Sequence, residues 1–235
     1  MDGVSTRVEA DRASRPGWLE LAVALVVFAV VGFGGAVAIL GSGLAPAARG
    51  VILAAWSGVA GLAGFAAVVA LGRRPLAALG LRSTSARWWV IGAGWGLFAF
   101  LVKGVAVMGF SALTGPAANP QAVYAGGASG GWIATLIATL GLGVLTPIGE
   151  ELVFRGVVTN ALLRYGPGIG VGVGALVFAV FHGVNIVFPA ALVAGLVAGE
   201  LFRRSRSVWP AVMVHVVFNV PTIPIMLLAA AGAPS

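Results

Sequence analysis

The chain of 235 residues is 60% hydrophobic and 9% charged, with a mean hydropathy of +1.04, whereas soluble domains carry about a quarter charged residues. A water-soluble globular protein is excluded. The net charge of +7 comes from 14 basic and 7 acidic residues, but the basic ones sit between apolar runs and form no continuous face, which argues against a nucleic-acid partner. With no cysteine, disulfides, thiolate metal sites and cysteine nucleophiles are excluded too.

In chain order, residues 1–17 read as a cytoplasmic N-terminal segment and 18–235 as a single transmembrane domain. Apolar runs predict spans over roughly 18–41, 50–72, 88–113, 131–164, 168–187, 188–202, 207–220 and 221–233, since about 20 residues rising 1.5 Å each cross the ~30 Å hydrocarbon core. The expected fold is all-α: a polytopic transmembrane helical bundle of about eight spans in the cell membrane, with both termini cytoplasmic. A membrane β-barrel needs alternating strands of about ten residues, and none is visible. The first run, at about 23 residues, exceeds the 7–15 of a signal peptide's apolar region and reads as a retained anchor. Residues 114–131, rich in Gly, Ala and Pro, read as an outer loop, and the last run, short and interrupted by Pro221 and Pro224, as a half-span.

The arginines orient the spans. Arg7, Arg12 and Arg15 precede the first, Arg73, Arg74, Arg82 and Arg87 separate the second and third, and Arg164, Arg203, Arg204 and Arg206 lie in later loops of the same side. Arg49 alone falls in an outer loop, while Lys103 and Arg155 lie within spans, so the positive-inside rule supports this topology. Trp18, Trp88, Trp89, Trp132 and Trp209 stand near span starts, where an indole keeps its N–H wet and its ring in lipid. Glycines at four-residue spacing, Gly92/Gly96, Gly166/Gly170/Gly174 and Gly195/Gly199, predict close helix packing and carry no chemistry. No internal repeat of the kind seen in secondary transporters stands out.

Polar chemistry is scarce and therefore informative. After Glu20 the acids are Glu150, Glu151 and Glu200, and the two histidines are His182 and His215. Inserting a charged side chain at membrane depth costs at least ~2.5–3.5 kcal/mol, so such a group is rarely kept without a partner or a task. Glu200, one turn before Arg203 and Arg204, reads as an interfacial charge pair. Glu151 and Arg155 are four apart and share a helical face, leaving Glu150 about 100° away. His182 follows Phe178 by one turn with Asn185 beyond it, and His215 and Asn219 share a face of the seventh span. Counted from the inner span ends, Glu150 and His182 lie about 21 Å deep, and His215 and Asn219 about 12–18 Å. A glutamate pair, two histidines and an amide at overlapping depths point to hydrolysis, in which a buried carboxylate takes a proton from water. Two other readings stay open: a non-catalytic peptide-binding or immunity scaffold, and a small proton-coupled transporter. Nucleophilic serine chemistry is disfavoured, because no Gly-x-Ser-x-Gly elbow occurs and Ser129 reads as loop. His-Glu-x-x-His and paired aspartates are missing as well; Asp2 and Asp11 are the chain's aspartates.

Glu150-Glu151-Leu152-Val153-Phe154-Arg155, then Phe178-Ala179-Val180-Phe181-His182, then His215-Val216-Val217-Phe218-Asn219, in that order on successive apolar runs, resemble the three signature motifs of the CPBP intramembrane proteases. That family includes the type II CAAX prenyl proteases and bacterial Abi-type proteins. The motif-bearing part is about residues 132–220; the first three spans carry little of the resemblance. It implies peptide-bond hydrolysis within the membrane on a membrane-associated peptide or protein, without transferring CAAX specificity. It makes Glu150 the candidate base for the attacking water, Glu151 and Arg155 its supporting pair, and His182 a second polariser or ligand. His215 and Asn219 become the oxyanion donors, a role worth about 2.7–4 kcal/mol per donor. Glu150, His182 and His215 with a water also match the ligand inventory of a catalytic Zn2+ site, while a metal-free glutamate mechanism suits His215 and Asn219 as an oxyanion pair.

Reporter fusions test the topology: those after Arg82 and after Arg204 are expected to read cytoplasmic and one after Asn119 external. An external signal at Arg82 overturns the arrangement.

Overall fold

The computed structural model describes residues 15–115, 119–221 and 223. The expected half-span over 221–233 therefore lies largely outside the described residues. Within them the chain is helical, without strands. Four helices are long and apolar enough to cross a membrane: α1 (Trp18–Leu40), α2 (Pro46–Ala70), α3 (Ala86–Thr114) and α4 (Trp132–Tyr165). Three more follow, α5 (Pro167–Phe181), α6 (Phe188–Ser205) and α7 (Trp209–Asn219). Proline stands in the first turn of α2, α5, α6 and α7, where its missing N–H breaks no helical bond and its fixed φ favours the start.

Two segments differ from expectation. The fifth run stops being helical at Phe181 instead of continuing to 187. Gly183 takes φ +81°, and the Asn185 side chain donates to the His182 carbonyl at 2.8 Å while accepting from the Val187 N–H at 2.8 Å. Such an Asx turn competes directly with helix continuation. The outer loop, in turn, is not open: Pro120–Gly130 forms a 3-10 helix docked on the outer ends of α2 and α4. Gly127 sits backbone to backbone against Gly50, and Gly126 against Pro46, an approach that any side chain would block.

One pole of the bundle is tied by polar groups. Arg15 donates to Asn160 Oδ1 at 3.1 Å, and the Asn160 amide donates to the carbonyls of Ala78 (2.7 Å) and Gly156 (3.1 Å). Glu20 accepts from the Gly17 N–H at 2.9 Å and from Arg74 at 3.3 Å, and Ser207 donates to the Arg82 carbonyl at 2.9 Å. The N-terminal segment, the 73–85 connection, the end of α4 and the α6–α7 turn thus meet at the arginine-rich end, the arrangement the positive-inside reading expects.

The helices close on glycine seams. A Cβ on Gly149 of α4 would overlap the Gly58 carbonyl of α2, and one on Gly61 would overlap Gly149 in return. On α3, Gly92 and Gly96 face the Pro210 and Val214 carbonyls of α7, and Gly195 of α6 lies on Ala175 of α5. The four-residue glycine spacing is therefore helix packing, except at Gly166, whose φ of +107° makes the α4–α5 turn.

The α2–α4 seam can be tested by one methyl group. Gly149→Ala is expected to lower the melting temperature in detergent, as overpacking costs about 1–3 kcal/mol. Gly94→Ala, with nothing within 4 Å of the new Cβ, should leave it unchanged or slightly raised.

Candidate active site

Glu150 and Glu151 lie on α4 between two π turns, Gly141–Leu145 and Phe154–Thr159. A π turn adds one residue to the helical repeat and leaves carbonyls without their ordinary partner, a feature common at functional sites. The second one carries Arg155. All three side chains are buried.

Glu151 is the hub. Its Oε1 accepts from Arg155 Nη1 at 2.9 Å and from His215 Nδ1 at 2.8 Å. Arg155 also donates through Nη2 to the Gly195 carbonyl at 3.3 Å, and its guanidinium lies over the Phe178 ring at 4.4 Å. One carboxylate and one guanidinium thereby join α4 to α5, α6 and α7. The network pairs the two charges in an apolar interior, where an unpaired ion is very costly, and leaves Glu151 Oε2 without a hydrogen bond.

The two imidazoles are oriented by their Nδ1 atoms. His182 Nδ1 lies 2.9 Å from the Phe178 carbonyl, which only accepts, so this nitrogen carries the proton. His215 Nδ1 is likewise held by a carboxylate. Both rings therefore turn Nε2 inward, and each Nε2 stands 3.9 Å from Glu150 Oε2. Glu150 Oε2 is buried and has no hydrogen-bond partner. A gap of that length between polar atoms is too long for a direct bond and suits one bridging water.

The structure joins Glu150, Glu151, Arg155, His182 and His215 in one cluster. Asn219, one turn beyond His215, donates from Nδ2 to the Leu142 carbonyl at 3.0 Å. That carbonyl belongs to the first π turn. The amide's second N–H and its oxygen make no protein hydrogen bond among the described residues. Ser129 donates to the Gly126 carbonyl within its own loop at 2.7 Å, as a loop residue does. Glu200 pairs with Arg203 at 2.7 Å and with Arg204, away from the cluster. Glu150, His182 and His215, the two histidine Nε2 atoms converging on Glu150 Oε2, are the residues that would supply ligands to a zinc ion.

Sequence reasoning passed over Tyr124, one of two tyrosines in the chain, which stands in Pro120–Gly130. Burial holds its hydroxyl above the usual phenol range, and the nearby charge of Glu150 adds to the effect. The available signal was an isolated phenol in a stretch of small residues.

Residues 131–221 match the family model for type II CAAX prenyl endopeptidases, Rce1-like. No curated protein and no solved structure matches the chain.

The hub sets a stability expectation. Arg155→Met strands Glu151 and should cost about 3–5 kcal/mol, as deletion of one partner of a buried pair does, read as a large fall in detergent melting temperature. Arg204→Met, from an exposed pair, should cost less than about 1 kcal/mol.

Proposed function

We propose that the chain hydrolyses a peptide bond of a membrane-associated peptide or protein with a water activated by Glu150; the match of residues 131–221 to the type II CAAX prenyl endopeptidase model supports the protease reading. The observation that carries this reading is Glu150 Oε2, buried, without a partner and 3.9 Å from two inward-facing Nε2 atoms. A water bridging these atoms loses a proton to Glu150 as its oxygen bonds to the scissile carbonyl carbon. The His182 Nε2 lone pair accepts the water's other hydrogen and fixes its attack direction.

Negative charge then gathers on the carbonyl oxygen. Asn219, through its second N–H, donates to that oxygen, and His215 does so when its Nε2 carries a proton. Collapse of the intermediate breaks the C–N bond, and the proton held by Glu150 passes to the leaving amine. Glu151 and Arg155 act as positioning residues, holding the His215 ring from behind.

Cleavage of a membrane-peptide library by purified protein tests the proposal. Glu150→Gln is expected to lose at least ~10²-fold in turnover with folded yield intact, since an amide cannot take the proton. Asn219→Ala is expected to lose about 10²–10³-fold, the scale of one oxyanion donor. Equal activity of Glu150→Gln and the parent overturns the assignment. Stoichiometric zinc lost and restored in parallel with activity would instead make Glu150, His182 and His215 ligands.

A further inference from the structure

The chain's single lysine, Lys103, lies inside α3 and takes no part in the cluster described above. An ionisable side chain at membrane depth is rarely kept without a partner or a task. A lysine that only tolerates lipid turns its ammonium toward the nearer interface. Lys103 stands 11 residues before the end of α3, and its side chain turns the other way, back along the helix. Its Nζ lies 4.4 Å from the ring centroid of Phe100 on α3 and 4.5 Å from that of Phe218 on α7, and it donates to the Phe218 carbonyl at 3.4 Å. Two aromatic faces and a carbonyl replace part of the hydration that the ammonium gives up.

The glycine seam sets this meeting. Gly92 faces the Pro210 carbonyl and Gly96 the Val214 carbonyl, so one more step of four residues brings Phe100 level with Phe218. Lys103, a turn further on, reaches back over both rings. The carbonyl it holds belongs to the peptide unit that joins Phe218 to Asn219. Because that unit is planar, fixing its oxygen fixes the Cα from which the Asn219 side chain starts. The Leu142 carbonyl fixes the other end of that side chain, at Nδ2. Asn219 is clamped at both ends, and its planar amide then aims the second N–H.

Asn219 is also the last residue of α7. A helix C-terminus carries about half a negative elementary charge, which opposes the gathering of further negative charge on a carbonyl oxygen beside it. We infer that Lys103 is a positioning residue for the hydrolysis: its ammonium locks the 218–219 peptide unit and offsets the negative end of α7 where Asn219 meets the oxyanion. Arg155, through Glu151, holds the histidine of α7; Lys103 holds the asparagine. The effect on chemistry rests on Asn219 being an oxyanion donor in the protease reading, but the lock itself does not.

Two measurements on the purified full-length protein in detergent test the assignment. Hydrogen exchange reads the lock without turnover: amides of residues 216–220 are expected to exchange about ten-fold faster in Lys103→Met than in the parent, with those of α2 unchanged. Lys103→Arg, which keeps a cation and a donor, is expected to return them to within about two-fold of the parent. Cleavage reads the chemistry: Lys103→Met is expected to lower kcat about ten-fold with KM within about two-fold, the pattern of an interaction that matters in the transition state. Lys103→Gln, polar but uncharged, is expected to show a similar kcat loss with the parent's melting temperature, so poor folding of Lys103→Met leaves the comparison intact. In an Asn219→Ala background either neutral substitution is expected to cost less than about two-fold, because its effect passes through Asn219. Unchanged exchange in Lys103→Met overturns the lock, and an undiminished kcat loss in the Asn219→Ala background overturns the route through Asn219. An active Glu150→Gln removes the protease reading and leaves the exchange result standing, whereas an inactive Glu150→Gln with parental kcat in the neutral Lys103 variants removes this assignment alone.

Discussion

The cluster depends on a single carboxylate oxygen. Glu151 Oε1 receives both Arg155 and His215, so the pair that keeps a charge tolerable in an apolar interior is also the pair that turns His215 Nε2 toward Glu150. Without Arg155, Glu151 is an uncompensated buried charge; without Glu151, the His215 ring has no fixed tautomer or direction. Arg155 carries the constraint further, since its second nitrogen and its face hold Gly195 of α6 and Phe178 of α5. Four helices are referred to one ion pair.

Electrostatics of this kind works only if backbones come close, and here glycine provides the approach. Lipid supplies no hydrophobic drive between helices, so association rests on van der Waals contact and on polar groups satisfied within the bundle. Gly149 directly precedes the two glutamates and lies on the Gly58 carbonyl, which sets the height and rotation of Glu150 against α2. On the other side, Gly92 and Gly96 let α7 sink against α3, and α7 carries His215. The Asn219 amide then uses a carbonyl that the first π turn leaves open, tying the end of α7 back to α4.

The two short helices give the site its polarity. α5 and α7 start at the arginine pole and are short, 15 and 11 residues, with His182 at the end of α5 and His215 within α7. Toward the arginine pole Phe154 and Phe178 pack edge to face, and past α5 the chain runs without helix from 182 to 187.

Much of this was legible in the chain alone. Composition dictated a helical membrane bundle, because apolar runs of this length have no other way to satisfy their backbone. The arginine distribution grouped the loops at one pole, and glycine spacing marked the seams. Scarcity of ionisable groups singled out Glu150, Glu151, Arg155, His182 and His215, and helical periodicity separated the faces of the two glutamates. What periodicity does not contain is contact between helices. That Glu151 is shared by His215 from 64 residues away, and that Pro120–Gly130 docks on Pro46 and Gly50, are decided by packing of segments distant in sequence. A hydrophobic pattern reports which side of a helix is apolar; only the tertiary structure, through close backbone approach and the need to pair each buried charge, determines what that side meets.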